Sequence, residues 1–107
     1  MTNSSLFTAE IVTFRIAKGV SRDDFLASAQ GTDAVVRAAS GFISRQLSCD
    51  SDGLWTDYVI WRDMASAKSA AQSVVKDPSF APFGQSIDGP SVAMRHADVF
   101  WEMPKSA

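Results

Sequence analysis

The tetrapeptide Asp50-Ser51-Asp52-Gly53 separates two runs of aromatic and β-branched residues, Phe42–Cys49 (FISRQLSC) and Leu54–Arg62 (LWTDYVIWR). Asp supplies side-chain-to-backbone hydrogen bonds and Gly the positive φ that a tight reversal needs, so the segment reads as a β-hairpin. A hairpin in the middle of a short chain limits what the flanks can become. Upstream, Leu6–Ala17 (LFTAEIVTFRIA) reads as a strand, and Lys18-Gly19 breaks it. Ser21 with Asp24 resembles a capping box with Asp in the usual Glu position, which starts a helix at Ser21. Phe25, Ala29, Val36 and Ala39 recur at roughly helical spacing, with Arg22, Asp23, Asp33 and Arg37 on the wetter side. Gly31-Thr32 is where this helix should bend or break, and Ser40-Gly41 is its stop.

Downstream, Asp63 caps a second, alanine-rich helix over Ala65–Lys76 that Pro78 ends. Pro78–Pro90 is an irregular loop carrying Phe80 and Phe83, read first as core plugs and second as a substrate lid. Ser91–Trp101 is the last strand. The order is β-α-β-β-α-β: an α+β, ferredoxin-like unit with a four-stranded antiparallel sheet and both helices on one face. Residues 6–102 form one domain, with 1–5 and 103–107 as tails. Within the sheet, the last strand is expected to run antiparallel to the first, and the third parallel to it.

Helices cover one face of such a sheet. With Trp61 turned toward them, the other face carries Leu54, Thr56, Tyr58, Ile60 and Arg62, then Ile11 and Thr13, then Ala93, Ala97, Val99 and Trp101. That surface is too apolar for water and calls for a second copy of the chain, packed face to face as a homodimer.

Charge excludes one large class of function. The net charge is −2, and the ten Lys and Arg are scattered among twelve acids, ten of them Asp, so no basic face exists for nucleic acid. Cys49 is the single cysteine, which rules out an intrachain disulfide and a cysteine metal cluster. The first eight residues do not look like a signal peptide, and no apolar run is long enough to cross a bilayer. The expected location is cytoplasmic, with no membrane partner.

Gly41-Phe42 through Arg45, Asp52-Gly53-Leu54-Trp55, and Val59-Ile60-Trp61-Arg62-Asp63 with Ala65 and Ala67 together resemble the dimeric α+β barrel superfamily. Within it the chain is most similar to the antibiotic-biosynthesis-monooxygenase-like domains. VIWRDMASA is the most telling segment, and Phe80, Phe83, Ile87-Asp88, Ser91-Val92 and Arg95-His96 keep the same cadence. The resemblance spans nearly the whole chain. It implies a dimer and a range of activities: cofactor-independent quinone-forming monooxygenases, haem-degrading enzymes, isomerases and proteins without an assigned role. The haem-degrading branch uses an Asn on the first strand, a Trp ending the third and a His on the second helix. Trp61 matches that Trp; the Asn position falls at Val12, and Asp63–Lys76 contains no His, which argues against haem. The quinone-forming members often surround a phenol with Asn, Trp and Tyr; here the one Asn is Asn3, in the N-terminal tail.

His96 is the sole histidine, and the two-residue period puts it on one face with Val92, Met94, Asp98 and Phe100. Facing the helices, it should share a level with Glu10 and Asp57, with Trp55 and Trp61 near. A carboxylate beside an imidazole orients it and raises its proton affinity, leaving a base for a phenolic or α-carbonyl proton. His96, Glu10 and Asp57 are therefore the candidate catalytic set, and Trp55, Trp61, Phe80, Phe83 and Met94 the candidate walls for a flat aromatic or quinol-like molecule. The plainer readings are a histidine satisfied by its neighbours, a polar cluster that neutralises itself and tryptophans that only fill the core. Cys49 lacks a basic partner for nucleophilic use, and a metal held by Glu10, Asp57, Asp98 and His96 is permitted by spacing but not favoured. Neither a Ser-His-acid set with a nucleophile turn nor a glycine-rich phosphate loop is present, so no cofactor is expected. Two functions stand: a cofactor-independent enzyme, monooxygenase first and isomerase second, or a non-catalytic dimeric module that binds a small apolar ligand or serves in stress.

Overall fold

The computed structural model describes residues 6–104; the two end segments expected as tails, with Asn3, lie wholly or largely outside them. Strands β1 (Phe7–Phe14), β2 (Phe42–Cys49), β3 (Trp55–Trp61) and β4 (Ala93–Val99) form one sheet in the order β2-β3-β1-β4. Every neighbouring pair is antiparallel. The third strand thus runs antiparallel to the first, contrary to expectation. Connectivity demands this: the helical crossover brings β2 back parallel to β1, and the hairpin then reverses β3.

The hairpin turn forms as its residues dictate. Asp50 Oδ1 accepts from the backbone N–H of Asp52 at 2.9 Å and of Leu54 at 3.0 Å, and Gly53 takes φ +83°. Between β1 and β2 lie α1 (Arg22–Gln30) and α2 (Asp33–Ala38), broken at Gly31-Thr32. Ser21 caps α1 by accepting from the Asp24 N–H at 3.1 Å. After β3, Asp63 caps α3 (Met64–Ser73) by accepting from the Ser66 N–H at 2.8 Å. The α-helix stops three residues short of Lys76, where Val74–Lys76 tightens to a 3₁₀ turn. Pro78–Pro90 is not an irregular loop. Pro78–Phe80 forms a 3₁₀ turn that leads into α4 (Ala81–Gln85), and a further 3₁₀ turn covers Gly89–Ser91. Proline at the first turn of each piece explains why a proline-rich segment can still coil.

The helices cover one sheet face, on which two apolar clusters form. Val36, Val59, Trp61, Ala67, Ala70 and Val74 make one. Phe14, Phe25, Ala29, Trp55 and Phe83 make the other, with Phe25 at its centre in edge-on contact with Phe14 and Trp55. Among the described residues, no helix is long and apolar enough to cross a membrane.

Gly41 joins the helical layer to β2 at φ +85°, and a Cβ there would lie 2.3 Å from Ser66 Oγ and 2.5 Å from Ser66 Cβ. Because Ser66 Cβ is itself in the way, removing the hydroxyl would not make room. Gly41→Ala should cost at least about 2 kcal/mol, from the left-handed backbone and the clash together, read as a lower urea midpoint. An unchanged midpoint would mean that this joint is not packed as described.

Candidate functional site

The antiparallel register sorts the helix-facing residues into rows. Thr8 pairs with Trp61 and Asp98; Glu10 with Val59 and His96; Val12 with Asp57 and Met94; Phe14 with Trp55. On β2, Arg45 continues the Glu10 row and Leu47 the Val12 row. Polar side chains from two adjacent rows, Arg45, Glu10 and His96 in one and Asp57 in the next, therefore lie between the apolar clusters. His96 and Glu10 face each other directly, as the two-residue period requires. Asp57 sits one row along, opposite Val12 and not Glu10, because β3 runs the other way.

Glu10 Oε1 accepts from Trp61 Nε1 at 2.9 Å and lies 3.8 Å from His96 Nε2. His96 Nε2 is buried and has no hydrogen-bond partner among the described residues. Burial pushes the Glu10 carboxyl above its ordinary value of 4.5, with the Asp57 charge adding to the rise; the Trp61 N–H, His96 and Arg45 oppose it. The neutral form of Glu10 is thus favoured more than in water.

Asp57 is committed elsewhere. Its carboxylate takes a two-pronged pair from Arg45, Nε to Oδ1 at 3.0 Å and Nη2 to Oδ2 at 2.9 Å. Arg45 Nη1 also donates to Thr32 Oγ1 at 2.7 Å, and the guanidinium lies over the Phe83 ring at 5.3 Å from its centre. Arg45 is the site residue that sequence reading missed. Strict alternation from Phe42 would turn it away from the helices; a β-bulge between Phe42 and Ser44 shifts the register and turns Arg45 and Leu47 inward. A signal was present: Phe42 and Leu47 are an odd number of residues apart, so both can face the core only across a bulge.

A cavity of about 370 Å³ opens beside these rows, lined at its polar end by Glu10, Asp57, Arg45 and Trp61. Its apolar walls include Phe80, Phe83 and Met94. Val75, Val92 and Met94 are both lining residues and exposed, so they mark its mouth. Of the anticipated site residues, Trp55 and His96 do not line the cavity: Trp55 is spent on the Phe25 cluster, and His96 is only a neighbour of the lining Glu10. Phe83 is both wall and core at 3% exposure. A second, more open groove of about 500 Å³ lies outside, between α1, α2 and β2, and Arg45 and Val36 separate the two spaces. Among the described residues, no three His, Cys, Asp or Glu side chains converge as a metal ion would need.

Replacing Glu10 by Gln keeps the acceptor for Trp61 and removes the charge. With its folded-state value raised, Glu10 binds more protons folded than unfolded just above pH 4.5, so its contribution to stability falls as pH rises through that window. The Tm of Glu10→Gln relative to the parent should climb as pH increases above about 4.5 and become independent of pH below it. A difference that stays flat with pH would show that Glu10 is not desolvated.

Three solved structures place the fold. A Bordetella bronchiseptica protein carrying the provisional name antibiotic biosynthesis monooxygenase superposes with a TM-score of 0.76 at 16% identity, over 90% of this chain and 99% of its own. A Caulobacter crescentus protein of the same provisional name gives 0.69 at 14% identity, over 92% and 93%. SnoaB, a cofactor-independent oxygenase from Streptomyces nogalater, gives 0.62 at 15% identity, over 92% and 96%. No protein-family model and no curated protein matches the sequence. At these identities the likeness establishes the fold.

Proposed function

We propose that this chain, built on the antibiotic-biosynthesis-monooxygenase fold, is a cofactor-independent oxygenase of a small aromatic or quinol-like molecule. One observation carries the reading: the desolvated carboxyl of Glu10 lines a cavity with apolar walls and lies 3.8 Å from the buried His96 Nε2, which has no partner among the described residues and stands next to the lining without being part of it. An unpartnered buried ring nitrogen costs free energy, and a substrate hydroxyl would satisfy it. SnoaB supports the chemistry by likeness of fold.

In this reading a phenolic O–H gives its proton to His96, with Glu10 steadying the resulting charge. The phenolate passes one electron to O₂, and the phenoxyl and superoxide combine through a new C–O bond at an adjacent ring carbon. His96 returns the proton to the peroxide. It then takes the C–H proton from the same carbon as the O–O bond breaks, and the departing hydroxide collects that proton as water. The balance is phenol plus O₂ to quinone plus water. Trp61, Phe80, Phe83 and Met94 hold the ring.

The test is oxygen uptake with 2-naphthol, with labelled dioxygen to follow the atoms. One labelled oxygen in the quinone supports the reading; consumption without incorporation, or none above the uncatalysed rate, defeats it.

A second reading, a module that only binds, is favoured by the mutual satisfaction of Arg45 with Asp57 and of Trp61 with Glu10. It is distinguished by tight 2-naphthol binding with no turnover.

The proposal includes a homodimer through the uncovered sheet face, with residues 6–102 acting as one unit. Tyr58 and Phe7 are exposed on that face, and Phe100, Trp101 and Met103 beyond β4 are 80%, 75% and 70% exposed, more apolar surface than an isolated chain commonly keeps. Sedimentation at micromolar concentration should give twice the chain mass; a stable monomer would remove this part of the proposal.

A further inference from the structure

Arg45 is held on three sides and still has hydrogen-bonding capacity left. A guanidinium carries five N–H bonds. Asp57 engages two of them, Thr32 Oγ1 a third, and the Phe83 ring covers its face. Thr32 in turn donates to the Ala29 carbonyl at 2.6 Å, anchoring this side of the clamp to the break between α1 and α2. Two N–H groups have no partner among the described residues, on a side chain that is 16% exposed and lines the cavity.

The acceptors near it are spoken for. Both Asp57 oxygens face Arg45, and Glu10 Oε1 takes the Trp61 N–H. Burial favours the neutral form of Glu10 more than water does. The cavity's polar end therefore has spare donors on Arg45 of β2, while His96 of β4 stands next to the lining Glu10 and is not itself a lining residue. Arg45 and His96 stand at opposite edges of the sheet in one row, three strand spacings or about 14 Å apart at the backbone.

We propose that Arg45 is a ligand-binding residue that selects an aromatic acid, one whose hydroxyl meets Glu10, with His96 next to it, while a carboxylate at its far end meets the guanidinium. The inference rests on the oxygenase reading of the same cavity and adds the substrate class to it. A planar fork matches a carboxylate, and a charge-assisted pair in a partly buried site is stronger than a neutral one. Arg45 leans across onto Asp57 of the neighbouring strand, which shortens that span to one that suits a fused-ring acid better than a compact phenol. A purely structural role for Arg45, tying the helix break to β2 and β3, would not distinguish an acid from its neutral counterpart.

Calorimetric titration of the full chain with 6-hydroxy-2-naphthoate and with 2-naphthol tests this. The parent should prefer the acid by about tenfold or more. In the double variant Arg45→Gln/Asp57→Asn, which removes both charges together, the preference should fall to within about threefold. If that variant does not fold, Arg45→Lys decides, since it keeps the charge and loses the fork: its preference must also drop. Equal affinities in the parent, or a preference that survives either substitution, overturns the role of Arg45 and leaves the oxygenase reading intact. If neither compound binds, the cavity is not an aromatic site and both fall.

Discussion

Arg45→Met, with Asp57 left in place, is expected to lower stability by about 3–5 kcal/mol, because it strands a carboxylate whose side chain is only 11% exposed. The same change strips Thr32, fully buried at the break between α1 and α2, of the donor that satisfies its hydroxyl. A domain of this size has about 5–15 kcal/mol in total, so the single variant should be marginal or unfolded at 37 °C. Removing both charges gives the opposite expectation. Arg45→Met/Asp57→Leu should recover most of the loss, since a buried pair contributes little beyond what apolar packing would. Urea midpoints of the two singles and the double close the cycle and isolate the coupling. A single-variant loss under about 1 kcal/mol would mean that the pair is screened like a surface ion pair, and the clamp around Arg45 would be far looser than its geometry implies.

That pair also shows how far the sequence could be read. Glu10 and His96 were placeable from residue order alone, because the two-residue period fixes their face and the antiparallel β1–β4 ladder makes them partners. Asp57 was placeable on that face but not at its level, and the reason is the direction of β3. The required direction follows from the helical crossover and the hairpin together; treating β1 and β3 as parallel puts Asp57 opposite the wrong residue. Arg45 was hidden by a different mechanism. One extra residue in β2 inverts the parity of everything after it, and a local insertion leaves no trace in a pattern read strand by strand. Only the joint requirement that Phe42 and Leu47 both pack inward reveals it.

The helical layer was legible in proportion to its chemistry. Ser21 and Asp63 cap where their side chains predict, and Gly31-Thr32 breaks the first helix where propensity is weakest. Pro78–Pro90 misled because three prolines and two glycines suggest irregularity. Each proline instead sits in the first turn of a short helical piece, where its missing N–H costs nothing. The consequence is functional. Packing in α4 puts Phe83 against Phe14 and Phe25, so the segment forms a fixed wall of the cavity, and a lid made of it would have to leave the core. Trp55 went to the same cluster, which is why the cavity keeps Trp61 alone as its indole wall.

The largest kinetic effect should come from His96. If its Nε2 is the proton acceptor, His96→Ala lowers oxygen uptake with 2-naphthol by about 10²–10⁴-fold, the range that a positioned general base supplies. His96→Gln should be nearly as slow while leaving thermal stability close to the parent's, because the amide keeps polar atoms at the buried end of the side chain and cannot accept a phenolic proton at neutral pH. The two variants separate chemistry from packing: lost turnover in both, with 2-naphthol still bound by His96→Gln, assigns the proton transfer to the imidazole. Undiminished turnover in His96→Gln would return the base to Glu10, which lines the cavity 3.8 Å from His96, and Glu10→Gln would then have to be the inactive protein. If both single variants turn over at the parent rate, neither member of the pair abstracts a proton, and the unpartnered nitrogen of His96 has no catalytic meaning.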